Sequence, residues 1–370
     1  MSEKNKCENL LIKARGEINE IDAQMAELFV RRMRTAEKIA AYKKEHALPV
    51  LDAAREEQMI QDNAKLVEDE TLREYYVNFI RNNIAVSRAY QSRLMEGTRV
   101  AYCGTEGAFA HIAAGKMFPG SVRVAYADFA SAYRSVESGE CDAAVLPVEN
   151  SYNGEVGQVT DLMFFGSLYV SEMMDLAVSH DLLALPGTRI EDVREVVSHP
   201  QAIAQCAEYI RNNGWSTAEY SNTALAAKYV AEKQDKTVVA IASEEAAEVF
   251  GLEVLAHNIN ASRNNTTRFA SFSRIENRHH SHRLGEHFVL LFTVKHEAGA
   301  LAKALDIIGR YGFNMRTLRS RPTKDFLWQY YFYVEAEGNI YTEAGERMLR
   351  ELGSVCDRLK LAGTYFDEER

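Results

Sequence analysis

Residues 143–151 read AAVLPVENS, an apolar run that ends in a polar cluster. Two similar clusters occur later: Ser198-His199-Pro200-Gln201 directly follows the strand-like run 193–197, and Asn265-Thr266-Thr267-Arg268-Phe269 follows residues 252–259 after a short loop. Open α/β folds build ligand crevices from polar side chains at the carboxyl ends of buried strands. The three clusters therefore predict such a crevice.

The surrounding region, from about residue 97 to 277, alternates between strand-like and helix-like segments. The strand-like segments are 99–103, 122–127, 143–148, 193–197, 217–220 and 238–241, and helix-like segments lie at 108–117, 129–138, 201–212, 224–233 and 243–250. This alternation predicts parallel α/β sheets. The turn Gly104-Thr105-Glu106-Gly107 either offers backbone N–H groups to an anion or is a tight turn and nothing more. It lacks the full dinucleotide fingerprint, which argues against a nicotinamide cofactor.

The N-terminal region predicts one long amphipathic helix over residues 7–46. Its apolar stripe consists of Leu11, Ala14, Ile18, Ile21, Met25, Leu28, Ala36 and Ile39. A helix of this length cannot bury its stripe in a small monomeric domain, so it needs following helices or a second chain as a partner. Arg32 and Lys43 lie on the same stripe, and from spacing alone solvated cations are the simpler interpretation.

Two further helices are predicted in this region. Asp52 is placed to cap a second helix, with Arg55 and Glu56 in its first turn. A third helix covers about residues 70–95, and Ser87 and Gln91 face the same way on it because they are four residues apart.

The C-terminal region predicts the order β-α-β-β-α-β. The segments are 288–294, 300–311, 315–321, 328–335, 342–356 and 360–365, the pattern of a ferredoxin-like α+β fold. Residues 278–286 precede it and contain His279, His280 and His282. The three histidines lack the usual ligand spacing, so a solvated linker is favoured over a metal site.

Composition excludes several classes of protein. The 370-residue chain has a net charge of −10 and no long basic block, which argues against a nucleic-acid partner. No apolar run is long enough to span a membrane, and the N-terminus lacks a signal core. The cysteines are scattered and without a C-x-x-C pair, as expected of reduced thiols in a cytoplasmic protein: Cys7, Cys103, Cys141, Cys206 and Cys356.

Taken together, the three polar clusters resemble the signatures of prephenate dehydratase. The N-terminal region resembles the all-helical chorismate mutase domain at eight positions, namely Arg15, Arg32, Lys43, Asp52, Arg55, Glu56, Ser87 and Gln91. Gly299-Ala300-Leu301-Ala302 and Ser320-Arg321-Pro322 resemble the ligand motifs of the regulatory ACT domain. The resemblance implies a mutase domain over 1–96, a dehydratase domain over 97–277, a linker over 278–286 and an ACT domain over 287–370. It also implies a three-helix intertwined dimer for the first domain and two lobes like those of periplasmic binding proteins for the second.

The mutase resemblance assigns a role to each of the eight side chains. Chorismate rearranges to prephenate in one pericyclic step, so the site must hold a folded dianion and stabilise charge on the ether oxygen. Three arginines (Arg15, Arg32, Arg55) then bind carboxylates, Lys43 and Gln91 donate to the ether oxygen, and Ser87 contacts a carboxylate. Asp52 and Glu56 hold the substrate hydroxyl and orient cations.

Arg15 leads to a prediction about assembly. It lies 17 residues before Arg32 on the same predicted helix, about 26 Å along the axis and about 100° around it. Arg15 cannot reach the ligand that Arg32 of the same helix binds. If it is catalytic, it must enter the site of a second chain, so we expect a homodimer or a higher homo-oligomer.

The dehydratase resemblance assigns proton donation to one of two residues. Thr267 is expected to donate a hydrogen bond to the leaving hydroxyl of prephenate, and Glu149 is the alternative general acid if burial raises its pKa. Asn150, Ser151, Ser198 and Gln201 are expected to position the substrate. His199 is either a substrate-contacting residue or structural, and Arg268 pairs with a carboxylate of the substrate or of the protein.

The ACT resemblance implies that phenylalanine binds at a dimer interface and inhibits, through Gly299, Ala300, Leu301, Ser320, Arg321 and Pro322. Two positions depart from the family pattern, because Arg319 occupies the place of a usual glutamate and Ala298 that of a usual proline. We therefore expect altered or lost sensitivity to this effector.

These observations predict a cytoplasmic bifunctional enzyme that converts chorismate to prephenate and prephenate to phenylpyruvate, on the way to phenylalanine. No metal or other cofactor is expected, since neither reaction transfers electrons to an acceptor. Two alternatives stay open for the middle domain: it acts on arogenate, the aminated analogue, or it is a ligand-binding module without catalysis.

Overall fold

The computed structural model describes residues 3–261, 265–277, 286–323 and 329–366, and the chain divides into two compact units, Met1–Gly97 and Thr98–Arg370. None of the helices in these ranges has an apolar stretch of the length that a bilayer crossing needs. Parts of the predicted linker, including its three histidines, lie outside the described residues.

The described part of the first unit consists of three helices, as the sequence predicts: α1 (Glu3–Glu45), α2 (Ala53–Ala64) and α3 (Glu70–Glu96). Asp52 caps α2 and Asp69 caps α3 through side-chain oxygens that accept from Arg55 N and Leu72 N. Among the residues of α1 whose burial the structure describes, the buried ones, Ala36 and Ala40, lie in the C-terminal half. Along its N-terminal half the apolar stripe is exposed, and Ile18 retains 56% of its accessible surface.

The second unit begins with two α/β lobes. The described helices are α4 (Phe109–Met117), α5 (Phe129–Glu137), α6 (Gly157–Phe165), α7 (Pro200–Gln205), α8 (Ala207–Asn213), α9 (Thr223–Lys233) and α10 (Glu244–Phe250). The strands are β1 (Arg99–Cys103), β2 (Val122–Tyr126), β3 (Ala143–Asn150), β4 (Gly154–Glu155), β5 (Tyr169–Ala177), β6 (Asp181–Ala184), β7 (Glu195–Ser198), β8 (Ser216–Glu219), β9 (Val238–Ala242), β10 (Glu253–Ala256) and β11 (Thr266–Ser273).

The sheets are mixed, and this corrects the prediction of parallel sheets. Strands β1, β2 and β3 are parallel, as are β7, β8 and β9, but β11 is antiparallel to both β3 and β5. The chain leaves the first lobe after β5, builds the second lobe from β6–β10, and returns as β11. The returning strand therefore runs against its neighbours, and the Thr267 cluster lies inside a strand.

The two crossings between the lobes are hydrogen-bonded to each other. Val178 N donates to Asn265 O at 2.7 Å, and Ile259 N donates to His180 O at 2.9 Å. The cleft between the lobes is consequently closed on one side by paired backbone.

The C-terminal part comprises β12 (Glu286–Val294), α11 (Ala300–Arg310), β13 (Asn314–Pro322), β14 (Tyr330–Glu337), α12 (Glu343–Val355) and β15 (Cys356–Phe366). The strand order is β13-β14-β12-β15, all antiparallel. Strand β15 also pairs with β5 at Gly363 and Val170, so that ten strands within the described ranges form one sheet. A Cβ atom at position 363 would overlap the Val170 carbonyl oxygen, so glycine permits this junction.

Strand β12 is buried on both faces. Phe288, Leu290 and Phe292 pack with α11 and α12, whereas Val289 and Leu291 face the core of the first lobe. The C-terminal sheet therefore packs against the lobe that carries the Asn150 and Thr267 strands.

Candidate active sites

The helical unit contains a cavity of about 400 Å³ between α1, α2 and α3. Seven of the eight side chains that the mutase resemblance selects line it: Arg32, Lys43, Asp52, Arg55, Glu56, Ser87 and Gln91. Both Arg32 and Lys43 lie in the C-terminal half of α1, where Arg32 contacts α3 and Lys43 contacts the segment that follows α1. Arg15 is exposed and is absent from the described lining.

The cavity is held together by polar contacts between helices. Arg32 Nη1 donates to Asn83 O at 2.9 Å and to Ser87 Oγ. Lys43 Nζ donates to Val50 O at 2.6 Å, its one hydrogen-bond partner among the described residues, so two of its three N–H groups remain for a ligand. Burial lowers the pKa of Arg32 below its usual value, as expected when a cation is desolvated.

Arg88 is a cavity residue that the sequence analysis did not identify. It pairs with Glu56 at 2.7 Å and lines the cavity. In the sequence, Arg88 directly follows the predicted site residue Ser87, and this position could have identified it as a candidate. With Arg88 included, four cations (Arg32, Lys43, Arg55, Arg88) oppose two carboxylates (Asp52, Glu56) among the described lining residues. The resulting net charge of 4 − 2 = +2 complements a dianion.

Gln91 completes the polar lining. Its Oε1 atom is buried and has no hydrogen-bond partner among the described residues. Buried polar atoms are nearly always paired, so this oxygen marks a place where a donor group of a ligand, such as a hydroxyl, is accommodated.

A second cavity, of about 350 Å³, lies in the cleft between the two α/β lobes. Both lobes contribute, because Asn150 and Thr267 come from the first and His199 and Gln201 from the second. The N-cap residues of four described helices line it: Ala108 of α4, Val156 of α6, His199 of α7 and Asn222 of α9. Helix N-termini carry unpaired N–H groups and partial positive charge, so this arrangement favours an anionic ligand.

Asn150 and Thr267 form a fixed pair on this cavity. Asn150 Oδ1 accepts from Tyr152 N and Asn153 N, each at 3.0 Å, which fixes the orientation of the amide. Its Nδ2 donates to Thr267 Oγ1 at 3.0 Å and to Asn265 Oδ1 at 2.9 Å. The Thr267 hydroxyl therefore accepts from an amide and keeps its own proton for another acceptor.

Glu149 and Arg268 lie on the opposite face of the same two strands. They are directly paired across β3 and β11, as are Asn150 and Thr267 one position along. Side chains alternate between faces of a strand, so only one of these pairs can face the cleft. Glu149 forms an ion pair with Arg319 at 2.5 Å. The structure thus places the alternative general acid outside the cavity.

Arg268 is likewise directed away from the predicted substrate. Its Nε lies 2.8 Å from Asp175 and its Nη1 lies 3.5 Å from Glu335. The hydrogen bonds that Arg268 donates to the Asp175 carboxylate raise the pKa of Arg268 above its usual value. The sequence analysis left two partners open for Arg268, a carboxylate of the substrate or one of the protein. The structure shows Arg268 paired with carboxylates of the protein.

Ser198 and Ser151, which the sequence analysis expects to contact the substrate, form hydrogen bonds within the protein instead. Ser198 is fully buried, and its Oγ donates to Ile241 O at 2.6 Å. Ser151 Oγ accepts from Thr266 N at 3.0 Å. Neither is among the described cavity-lining residues. His199 does line the cavity, and its Nδ1 accepts from Gln201 N at 3.3 Å, which leaves the proton of a neutral ring on Nε2.

His180, Gln205 and Asn265 are cavity residues that the sequence analysis did not select. His180 Nε2 lies 2.7 Å from Gln205 Oε1, and Asn265 Nδ2 donates to the same oxygen at 3.3 Å. This contact chain reaches Thr267 through Asn150. Burial lowers the pKa of His180, which keeps the ring neutral near pH 7. Gln205 follows Gln201 by one helical turn, so the sequence could have predicted that both side chains face the cavity. No sequence pattern marks His180.

The predicted regulatory motifs occupy the start of α11 and the strand β13. Gly299 is the N-cap of α11 with φ 82°, and Leu301 packs on the C-terminal core. Ser320 and Pro322 are exposed on β13. Arg321 faces the other way and pairs with Asp161 at 3.1 Å, so its guanidinium binds a carboxylate of α6.

Comparison with known proteins gives matches to both units. The chorismate mutase type II family matches residues 14–92, and the prephenate dehydratase family matches residues 100–277. A bifunctional chorismate mutase/prephenate dehydratase of Neisseria gonorrhoeae is 32% identical over 97% of both chains. The arogenate dehydratase/prephenate dehydratase 2 of Arabidopsis thaliana is 34% identical over 72% of both chains.

Two solved structures resemble the second unit. GqqA, described as a novel type of quorum-quenching acylase, is 32% identical, with a TM-score of 0.67 over 73% of this chain and 98% of that one. The prephenate dehydratase of Arthrobacter aurescens in complex with L-Phe is 25% identical, with a TM-score of 0.66 over 73% and 90%. Because the Neisseria relative matches both units over nearly the full length, the chain belongs to the bifunctional chorismate mutase/prephenate dehydratase family.

Proposed function

We propose that the helical cavity rearranges chorismate and that the cleft between the lobes dehydrates the prephenate formed. The mutase assignment is carried by the convergence of seven predicted side chains on one cavity of net positive charge. Arg32 and Arg55 bind substrate carboxylates, and Lys43 and Gln91 serve the ether oxygen. No nucleophile is required, because binding the folded conformer and stabilising the developing negative charge supply the catalysis.

The dehydratase assignment is carried by the Asn150–Thr267 pair in a cleft lined by helix N-termini. In this reaction the ring C–O bond breaks as the hydroxyl leaves with a proton, and the bond to the ring carboxylate breaks to release CO₂. The electron pair of the second bond completes the aromatic ring. Thr267 donates to the leaving hydroxyl, while the N-terminal N–H groups hold the side-chain carboxylate.

The described lining favours a keto acid over its aminated analogue. It offers amide, hydroxyl and imidazole groups with helix N-termini, and the described lining residues include no Asp or Glu to receive an ammonium. Prephenate has a carbonyl where arogenate has its ammonium group, so prephenate is the better match to this lining.

The same geometry supports dehydration over acyl transfer, the activity named for GqqA. A threonine nucleophile needs a base that removes its proton. Thr267 Oγ1 instead accepts a hydrogen bond from the Asn150 amide, which cannot take up a proton.

A coupled assay tests the proposed function. Purified protein supplied with chorismate, and with no cofactor, is expected to produce phenylpyruvate, with prephenate as the intermediate. In parallel reactions we expect kcat/KM for prephenate to exceed that for arogenate by at least about tenfold. Consumption of arogenate alone would reverse the substrate assignment, and binding of both compounds without turnover would indicate a ligand-binding module.

We also propose that the helical unit works as a homodimer. The exposed apolar stripe on the N-terminal half of α1 supports this, since large exposed apolar patches mark interaction surfaces. The separation of Arg15 from the cavity of its own chain supports it independently. In the dimer, Arg15 of each protomer completes the site of its partner.

The C-terminal part, with the domain boundary proposed at residues 278–286, is proposed to be an ACT domain that binds phenylalanine. The β-α-β-β-α-β order and its antiparallel sheet support a ferredoxin-like fold. The L-Phe in the Arthrobacter structure supports the choice of effector. Arg319 pairs with Glu149, so its charge is compensated and does not oppose the ammonium of a ligand.

Because of this pairing we replace the expectation of altered or lost sensitivity, and we expect phenylalanine to inhibit the dehydratase and to leave the mutase unchanged. The physical reason is that the C-terminal sheet packs on the core of the dehydratase lobe, so that an effector binding there stabilises one arrangement of that lobe. Initial rates of both reactions under phenylalanine titration, with alanine as the control amino acid, measure this. Equal dehydratase rates with and without phenylalanine would contradict it.

A further inference from the structure

Strand β13 presents two arginines to the wall of the dehydratase cleft. Alternate residues along this strand are partly buried, and Arg319 and Arg321 share the inward face. Arg319 Nη2 lies 2.5 Å from Glu149 Oε2. Arg321 lies 3.1 Å from Asp161 and 3.5 Å from Glu155.

The three carboxylates belong to one segment, residues 149–161, that also forms part of the cavity. Asn150, Asn153 and Val156 of this segment line the cleft. The outer side of the segment is thus bound by cations of β13, and its inner side faces the ligand site. The contact is close, because a Cβ atom at position 157 would overlap the Arg321 guanidinium.

Glu149 links the Arg319–Glu149 ion pair to the Asn150–Thr267 pair. It is adjacent to Asn150, and the two side chains occupy opposite faces of β3. Holding the Glu149 carboxylate outward fixes the backbone of β3 at the place where Asn150 donates to Thr267 Oγ1. A small shift there would misdirect the Thr267 hydroxyl.

We propose that Arg319 is a positioning residue of the dehydratase, acting through Glu149 to hold Asn150 against Thr267. This role rests on the dehydratase function proposed above. It gives the Glu149 carboxylate a task other than proton donation, and it makes the C-terminal sheet part of the structure that supports the cleft.

A double-mutant cycle tests the proposal. The variants are R319Q, E149Q and the double variant R319Q/E149Q, with R319K as the conservative replacement. Charge reversal is unsuitable, because an arginine at position 149 would face Arg268 across the strands. R316Q is the matched control, since Arg316 lies on the same strand and pairs with Glu337 within the C-terminal sheet.

We expect R319Q and E149Q each to lower dehydratase kcat by about tenfold, with KM nearly unchanged, and the double variant to be no worse than either single one. R319K should recover part of the loss, and R316Q should match the wild type. The pH profile should keep its shape in every variant, because no proton donor is removed. The mutase rate of the same chains and their thermal midpoints report on folding.

Three results would overturn the proposal. One is a loss in E149Q of about 10²-fold or more with a missing limb of the pH profile, as expected for a general acid. Another is additive losses in the double variant, and the last is an R319Q variant with wild-type turnover. If the wild-type protein itself produces no phenylpyruvate from prephenate, the dehydratase function is what has failed.

Discussion

Replacing Thr267 with alanine is expected to lower dehydratase turnover by about 10²–10³-fold, with substrate binding and mutase activity retained. The hydroxyl accepts from Asn150 and keeps its own proton for the leaving group, so its removal takes away the donor and leaves the cavity open. Phenylpyruvate formation from prephenate, together with binding measured by calorimetry, separates loss of chemistry from loss of affinity.

The neighbouring residues supply the controls for this experiment. Thr267→Ser keeps a hydroxyl and should retain much of the activity. Thr266→Ala removes an adjacent threonine that is not among the described lining residues and should have little effect. A T267A variant with wild-type turnover would exclude the hydroxyl as the donor.

Replacing Lys43 or Arg15 with alanine is expected to lower mutase activity by about 10²-fold or more. Lys43 lies in the cavity with donors available for the ether oxygen, and Arg15 is proposed to bind a carboxylate in the partner's site. The prephenate formation rate measures both. Lys44→Ala, an exposed lysine one position along α1, is the control.

Mixing the two inactive variants tests the proposed dimer directly. After dissociation and reassociation, half of the dimers carry one chain of each kind, and one of their two sites has both Arg15 and Lys43. We therefore expect about a quarter of the wild-type activity per chain to return. Activity no higher than that of the separate variants would contradict sharing of the site between chains.

Much of the helical unit followed from sequence. The 3/4 spacing of apolar residues predicted α1, and Asp52 predicted the start of α2. Seven selected side chains line the cavity, yet spacing alone favoured solvated cations at Arg32 and Lys43. The deciding contact is with α3, because Arg32 reaches Asn83 and Ser87 more than 50 residues away. Local periodicity carries no information about such a distant partner.

In the cleft, too, the sequence identified the site residues but not the direction in which each side chain points. Chain order and polar clusters identified Asn150, His199, Gln201 and Thr267 as residues that line it. They did not separate these from Glu149, Ser198 and Arg268, which lie in the same clusters. Nor did they predict that β11 runs antiparallel, since that follows from the return of the chain from the second lobe.

The sequence by itself determined the helical and strand-forming segments, the family motifs and the residue types available to each site. Tertiary structure alone decided which face of β3 and β11 meets the ligand. Neighbouring residues on a strand point to opposite sides, so Glu149 and Asn150 are equal candidates until one side is covered. The C-terminal sheet covers that side with Arg319 and Glu335, which bind Glu149 and Arg268 and leave Asn150 and Thr267 facing the cleft.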